Sequence, residues 1–143
     1  MIIRPARATD QPTIKQIIRE ADINTMNLDW RHFLIAEEND AIIGIGQVKQ
    51  HGDGSRELAY IATIPARRKQ GIARAIIEAL LARETGTLYL TCREQLEPFY
   101  ARFGFRKIAR DQMPPYFRRL IRIVNIVAPV LRGVRIIVMK REI

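Results

Sequence analysis

The chain has 143 residues, 48% apolar and 27% charged, with 8 Gly and 7 Pro, the size and composition of one globular domain and neither a disordered nor a collagen-like chain. Its one cysteine, Cys92, excludes an internally stapled secreted mini-protein and points to a cytoplasmic setting, and neither a signal-peptide core nor an 18-residue apolar run is present. The net charge of +9 is lopsided, because residues 1–100 hold 13 Lys and Arg against 13 Asp and Glu, whereas residues 101–143 hold 11 against 2.

Ile3 to Ala6 predicts a short first strand, and Asp10 an N-cap for a helix over about residues 11–21 with Ile14, Ile17, Ile18 and Ala21 on one side. Residues 22–31 form a connection carrying Met26, Leu28 and Trp30. Phe33 to Glu37 and Ala41 to Lys49 read as strands joined by an Asn39-Asp40 turn. After the polar turn His51 to Ser55, Glu57 to Ile64 is a strand stopped by Pro65. Gly71 to about Glu84 has helical period, with Ile72, Ile76, Ala79 and Leu80 in one stripe, Arg74, Glu78 and Arg83 away from it, and Gly86 as C′ residue. A strand Thr87 to Cys92, a short helix Leu96 to Arg102 and a strand Phe105 to Ala109 follow. Beyond Pro114-Pro115 a helix runs to Ala128, ended by Pro129, and Val134 to Lys140 is the last strand. With no linker or repeat, this order gives a single α/β domain over residues 1–143, its mixed, mostly antiparallel sheet of about six or seven strands flanked by helices.

The segment Ile61-Ala62-Thr63-Ile64-Pro65-Ala66-Arg67-Arg68-Lys69-Gln70-Gly71-Ile72-Ala73-Arg74 carries the clearest chemistry. A strand ends, three adjacent cations follow, and a glycine opens an amphipathic helix. The first N–H groups of a helix lack intrahelical acceptors and sit at the positive end of its dipole, and glycine lets an anion approach them. Such a segment suits a diphosphate; a plain turn with a solvated basic loop is the competing interpretation. Gly71 is not followed by Lys-Ser/Thr, which excludes a P-loop, and Gly44-Ile45-Gly46 lies within a strand, which excludes a dinucleotide fingerprint.

Arg68-Lys69-Gln70-Gly71-Ile72-Ala73 resembles the Arg/Gln-x-x-Gly-x-Gly/Ala signature of the GNAT superfamily of acetyl-CoA-dependent N-acetyltransferases. Phe99-Tyr100-Ala101-Arg102-Phe103-Gly104-Phe105 is similar to that family's second, helix-to-strand signature. The resemblance runs from Ile2 to Phe105 in element order, and to Met139 more loosely, and implies a GNAT-like fold with acetyl-CoA as co-substrate. It also implies that the backbone of Ile61, Ala62 and Thr63 pairs with the pantetheine arm. The amides over Lys69, Gln70, Gly71, Ile72, Ala73 and Arg74 then take the pyrophosphate, with the Arg68 and Lys69 side chains nearby. Ala73 stands where the family has a second glycine, and the asparagine many relatives carry after the strand ending at Cys92 is missing.

Moving an acetyl group from a thioester to a primary amine in a ternary complex needs a base, an oxyanion donor and a proton for the leaving thiolate. A backbone N–H near Thr63 suits the oxyanion. Tyr100 matches the family's acid, although it also reads as a core aromatic beside Phe99, Phe103 and Phe105. Glu57 is the favoured base, with Glu94 or water as alternatives, and either Glu could instead be a surface salt-bridge partner. Cys92 reads as a small buried hydrophobe, with a catalytic thiol as the lesser option. Trp30 and Met26 fall where the family's substrate-side helices lie, with lining of an acceptor pocket and core packing as the two readings. His32 and His51 are isolated, so no metal is expected.

Residues 115–128 form a basic amphipathic helix. Arg118, Arg119, Arg122 and Asn125 share one face, and Leu120, Ile123, Val124 and Val127 the other, with Tyr116 beside them. A solvated face, a homodimer surface and peripheral contact with an anionic membrane are the options. Nucleic acid is the weaker partner, since no helix-turn-helix or RNA-recognition signature appears. Two competitors to the enzyme stand beside it: a non-catalytic CoA-binding module of the same fold, and a basic protein of membrane surfaces or nucleic acid. The amine acceptor is not legible.

Overall fold

The first hairpin closes as the Asn39-Asp40 pair predicts: both residues are left-handed, with φ of 50° and 63°, the geometry whose twist matches the flanking strands. The computed structural model describes residues 1–21, 28–127 and 135–142. In chain order the elements are β1 Ile2–Pro5, α1 Gln11–Glu20, β2 Phe33–Glu38, β3 Ala41–Gln50, β4 Arg56–Thr63, α2 Ile72–Ala82, β5 Leu88–Arg93, α3 Glu97–Ala101, β6 Arg106–Lys107, α4 Pro115–Val127 and β7 Ile136–Arg141. The strands form one seven-stranded sheet in the order β1-β2-β3-β4-β5-β7-β6. β4 and β5 are parallel, with Glu57 opposite Tyr89, whereas β1–β2, β2–β3, β5–β7 and β6–β7 are antiparallel. Among the described residues no helix is long and apolar enough to cross a membrane.

Two compact units share the chain. The first comprises Met1–Lys49 and Leu58–Glu84, the second Gln50–Glu57 and Thr85–Ile143.

In the first unit α1 buries Ile14, Ile17 and Ile18 against Phe33, Ile35, Ile45 and Ala62. Side chains alternate along a strand, so Gly44 and Gly46 point away from Ile45, toward α2. A Cβ at Gly44 would lie 2.7 Å from Ile72 Cγ2, and one at Gly46 would lie 2.7 Å from Ile76 Cγ2. The two glycines thus let α2 sit directly on β3.

Asp10 does not cap α1 as its position predicts. It has helical φ and ψ and makes no side-chain cap bond. Its carboxylate turns back to accept the Arg7 N–H at 2.7 Å and the Arg4 guanidinium at 2.8 and 3.2 Å, and Arg4 also meets Glu37. A charged donor outcompetes a backbone amide for a poorly hydrated carboxylate. The Arg4 hydrogen bonds hold the Asp10 carboxyl below its ordinary value, against the opposing effect of burial. Its stabilisation is therefore complete above the unfolded-state value near 4 and is lost as pH falls below it. Asp10→Ala is expected to remove about 2 kcal/mol at neutral pH and much less at pH 2, measured by urea melts at both.

The second unit is organised around Phe117, which is fully buried with Ile108, Met113 and Val138, and with Tyr89, Tyr116 and Ile121 packed against that cluster. Phe117 therefore sets the inner stripe of α4. Ile123, predicted to lie on the apolar face, is instead 58% exposed. Arg118, Arg119 and Arg122 are exposed as expected. β6 has two residues where five were predicted. α2 ends at Ala82 with Arg83 as C-cap, so Gly86, although left-handed at φ 81°, turns the chain beyond the helix and does not cap it. Met26, Ala128, Pro129, Val134 and the side chains of Asn125 and Val127 lie outside the described residues.

Candidate active site

The loop before α2 has the geometry its sequence predicts. Pro65–Arg67 makes a single 3-10 turn, and Lys69 and Gly71 then take φ of 63° and 82°. Gly71 is the N-cap of α2, and no side chain caps the helix. A Cβ at Gly71 would meet nothing within 4 Å, so the chain is uncrowded on that side of the helix start. The three neighbouring cations are not equivalent. Arg67 is committed to Glu38 on β2, and its Nε donates to Gln70 Oε1 at 2.8 Å. Arg68 and Lys69 are exposed beside the helix start. Arg74 donates to Glu78 at 2.8 Å along the helix, so it offers its backbone amide here. Buried Ile72, Ile76, Ile77, Leu80 and Leu81 fix the helix from beneath.

β4 is distorted just ahead of this loop. Tyr60 has φ 56° within the strand, a conformation that is strained for an aromatic residue and re-aims the peptides around it, as a bulge does. The alternation of burial fails there: Leu58 and Ala62 are buried, with half-buried Ala59, Tyr60 and Ile61 between them. The Tyr60 ring packs near Phe33, with the Lys49 ammonium 5.7 Å from its centroid. Ile61 and Thr63 are half-buried. This kink had no sequence signal, because tyrosine is an ordinary strand residue.

The second unit holds the proposed acid and both candidate bases. Tyr100 lies on α3, its ring edge-on to Phe99 at 5.0 Å and to Phe105 at 6.4 Å. Burial, with a smaller contribution from Cys92, pushes its phenol up to about 12, so it keeps its proton at neutral pH. Cys92 is buried with its sulfur 3.9 Å from that of Met139. Burial first and Glu97 second push its thiol up to about 11, which makes it a packed hydrophobe rather than a nucleophile. Glu94 sits after β5, its carboxylate 3.6 Å from Arg135 and 44% exposed.

Glu57 has a different environment. Its side chain is 10% exposed and accepts from, or donates to, His51 Nε2 at 2.7 Å. The His51 ring stacks on Tyr116 with centroids 3.5 Å apart and stands edge-on to Phe117. The register of the turn brings this pair together. His51 N–H bonds to Ser55 O across the turn, so Glu57, two residues further on, shares the face of His51 as a diagonal cross-strand neighbour. Trp30 packs against the α1 cluster, and His32 lies 3.5 Å from Asp29. Among the described residues no group of three or more His, Cys, Asp or Glu is placed to hold a metal.

A left-handed glycine thus opens an uncapped helix, with exposed cations beside it and a kinked strand before it. Residues 29–107 match the model of the acetyltransferase (GNAT) domain, more than half of the chain. The chain belongs to the GNAT family of acetyltransferases and is an acetyl-CoA-dependent N-acetyltransferase domain. The amino-acid acetyltransferase of Mycobacterium tuberculosis is 29% identical over 120 residues, covering 75% of this chain and 69% of that protein. The fold is shared with Rv2747 of M. tuberculosis, solved in complex with CoA (TM-score 0.74, 22% identity, 100% of this chain and 99% of that one). It is also shared with N-acetylglutamate synthase from Neisseria gonorrhoeae, solved with coenzyme A and N-acetyl-glutamate (TM-score 0.76, 19% identity, 98% of this chain). The chain spans 34% of the Neisseria chain.

Proposed function

We propose that residues 1–143 work as one catalytic domain that transfers acetyl from acetyl-CoA to the α-amine of a free amino acid. The observation that carries the cofactor half is the uncrowded, uncapped start of α2 behind left-handed Gly71. There the amides over Lys69, Gln70, Gly71, Ile72, Ala73 and Arg74 bind the diphosphate, and Arg68 and Lys69 add charge. The acceptor class is supported by the relatives, one an amino-acid acetyltransferase and one a synthase solved with N-acetyl-glutamate. A cytoplasmic setting fits the single, buried, free thiol of Cys92.

In the reaction the amine lone pair attacks the thioester carbonyl, and its proton passes to Glu57 directly or through water. The C–N bond forms and the oxyanion is met by a peptide N–H of kinked β4. The C–S bond then breaks, and the thiolate takes the Tyr100 proton. The backbone of Ile61, Ala62 and Thr63 holds the pantetheine arm as an added strand. Glu94 is the lesser base because its exposed carboxylate is engaged with Arg135.

A panel of amino acids, peptide N-termini and polyamines, read through release of free thiol from acetyl-CoA, tests the acceptor. Thiol release with amino acids supports it; turnover confined to peptides or polyamines overturns it. Tyr100→Phe is expected to lower kcat about tenfold to a hundredfold with KM for acetyl-CoA little changed. Full kcat across pH would remove Tyr100 from the chemistry.

A second contact is carried by the outer face of α4, where Arg110, Arg118 and Arg122 line an open cavity of about 580 Å³ together with Ala109 and Asp111. Such a face fits an anionic membrane surface better than a homodimer, since like charges would meet across a two-fold axis. Co-sedimentation with anionic but not neutral vesicles at physiological salt would support it.

A further inference from the structure

His51 is nearly buried, titratable and unused by the steps above, yet it bonds directly to the carboxylate assigned as base. We propose that His51 is the positioning residue for Glu57, and that the first turn of α4 holds His51 in place. This rests on the assignment of Glu57 as base.

A carboxylate only 10% exposed needs a hydrogen-bond partner, and a base needs a fixed direction in which to receive a proton. His51 Nε2 lies 2.7 Å from Oε1; in the tautomer that carries the proton on Nε2 the ring donates to Oε1, and Oε2 is the edge assigned to receive the substrate proton. The imidazole is fixed on both sides. Its own backbone N–H is tied to Ser55 O at 2.8 Å, and its ring is covered by Tyr116 at 3.5 Å and abutted by Phe117. Tyr116 is held in turn, because its backbone N–H donates to Asp53 Oδ2 at 3.0 Å. Asp53 also accepts the Ser55 N–H and hydroxyl, and these bonds bring its carboxyl down to about 2, so it stays ionised throughout the working range. A single five-residue turn therefore does two things. Its Asp53 anchors the start of α4, and its His51, under the α4 ring, aims the base on β4. This gives the helix at 115–127 a role at the catalytic carboxylate, separate from its exposed arginines.

The test compares His51→Leu, His51→Gln and Glu57→Gln in the full chain. Acetyl-CoA and an equimolar amino-acid mixture serve as substrates, free thiol is the readout, and thermal midpoints are recorded. Leucine keeps the packing under Tyr116 but removes the donor; glutamine keeps an N–H at the Nε2 position. His51→Leu is expected to lower kcat about thirtyfold with KM for acetyl-CoA unchanged, and His51→Gln to recover to within about threefold of the parent. If Glu57→Gln lowers kcat while His51→Leu does not, or if glutamine fails to restore what leucine removes, the positioning role is overturned. If Glu57→Gln leaves kcat intact, the base assignment itself is wrong. A parallel fall in kcat and rise in KM with a lowered midpoint would mark His51 as merely structural, and also overturns the proposal.

Discussion

Gly71→Val is expected to weaken binding of CoA by about a hundredfold while lowering the stability of the free protein by only about 1–2 kcal/mol. The two effects have different sources. Valine at φ 82° is strained wherever it stands, which accounts for the stability loss. The free protein has room for the added carbons, since a Cβ there meets nothing within 4 Å. The affinity is expected to fall because the proposed diphosphate site uses that room to reach the α2 amides, and charged hydrogen bonds of this kind contribute about 1.5–3 kcal/mol each. Gly71→Asn separates the causes, because asparagine tolerates the left-handed region yet still fills the socket. It should fold nearly as well as the parent and bind CoA almost as poorly as the valine variant. Isothermal titration with CoA, alongside thermal melts, reads both.

Gly44→Val is expected to have the largest effect on the fold, a loss of about 3 kcal/mol, or near 10 °C in Tm for a chain of this size. Its Cβ would fall 2.7 Å from Ile72 Cγ2 and 2.9 Å from Ile76 Cδ1, with Ala62 O at 3.4 Å. Ile72 and Ile76 are 4% and 0% exposed, and a β-branched methyl cannot swing aside as a long side-chain end can. The helix must therefore move outward. Ile72 is the first residue of α2, so the displacement reaches the proposed phosphate socket, and CoA affinity should fall together with stability. Gly52→Ala is the matched control: nothing lies within 4 Å of a Cβ there, and neither quantity should change. Equal melts for Gly44→Val and the parent would refute the direct seating of α2 on β3.

The parts legible in the sequence are those fixed by local chemistry. The Asn39-Asp40 turn, the strand stopped by Pro65 and the glycine opening α2 follow from backbone preferences of the residues themselves. So does the order of elements, because the period of apolar residues switches cleanly between two and 3.6. What was not legible depends on partners distant in the chain. Asp10 carries the signature of a helix cap, but Arg4 takes its carboxylate. Gly86 has the left-handed geometry of a C′ residue, yet the helix has already ended at Ala82. On α4 the periodicity places Ile123 on the apolar face, whereas the burial of Phe117 sets the inner stripe and leaves Ile123 58% exposed. At the site, the motif points to the loop proposed for the cofactor but not to the engagement of Arg67 by Glu38 and Gln70 while Arg68 and Lys69 stay exposed. Two histidines without metal-ligand spacing looked inert, and only the register across the His51–Ser55 turn brings one of them to Glu57.

The diphosphate socket at the start of α2 is tested most directly by calorimetric titration of the full chain with CoA and, separately, with pantetheine, which keeps the thiol arm but lacks the diphosphate. CoA should bind with pantetheine at least about a hundredfold weaker, and Gly71→Val should bring CoA down to the pantetheine level. Equal affinity for the two ligands, or CoA binding indifferent to Gly71→Val, would contradict a phosphate site built on those amides.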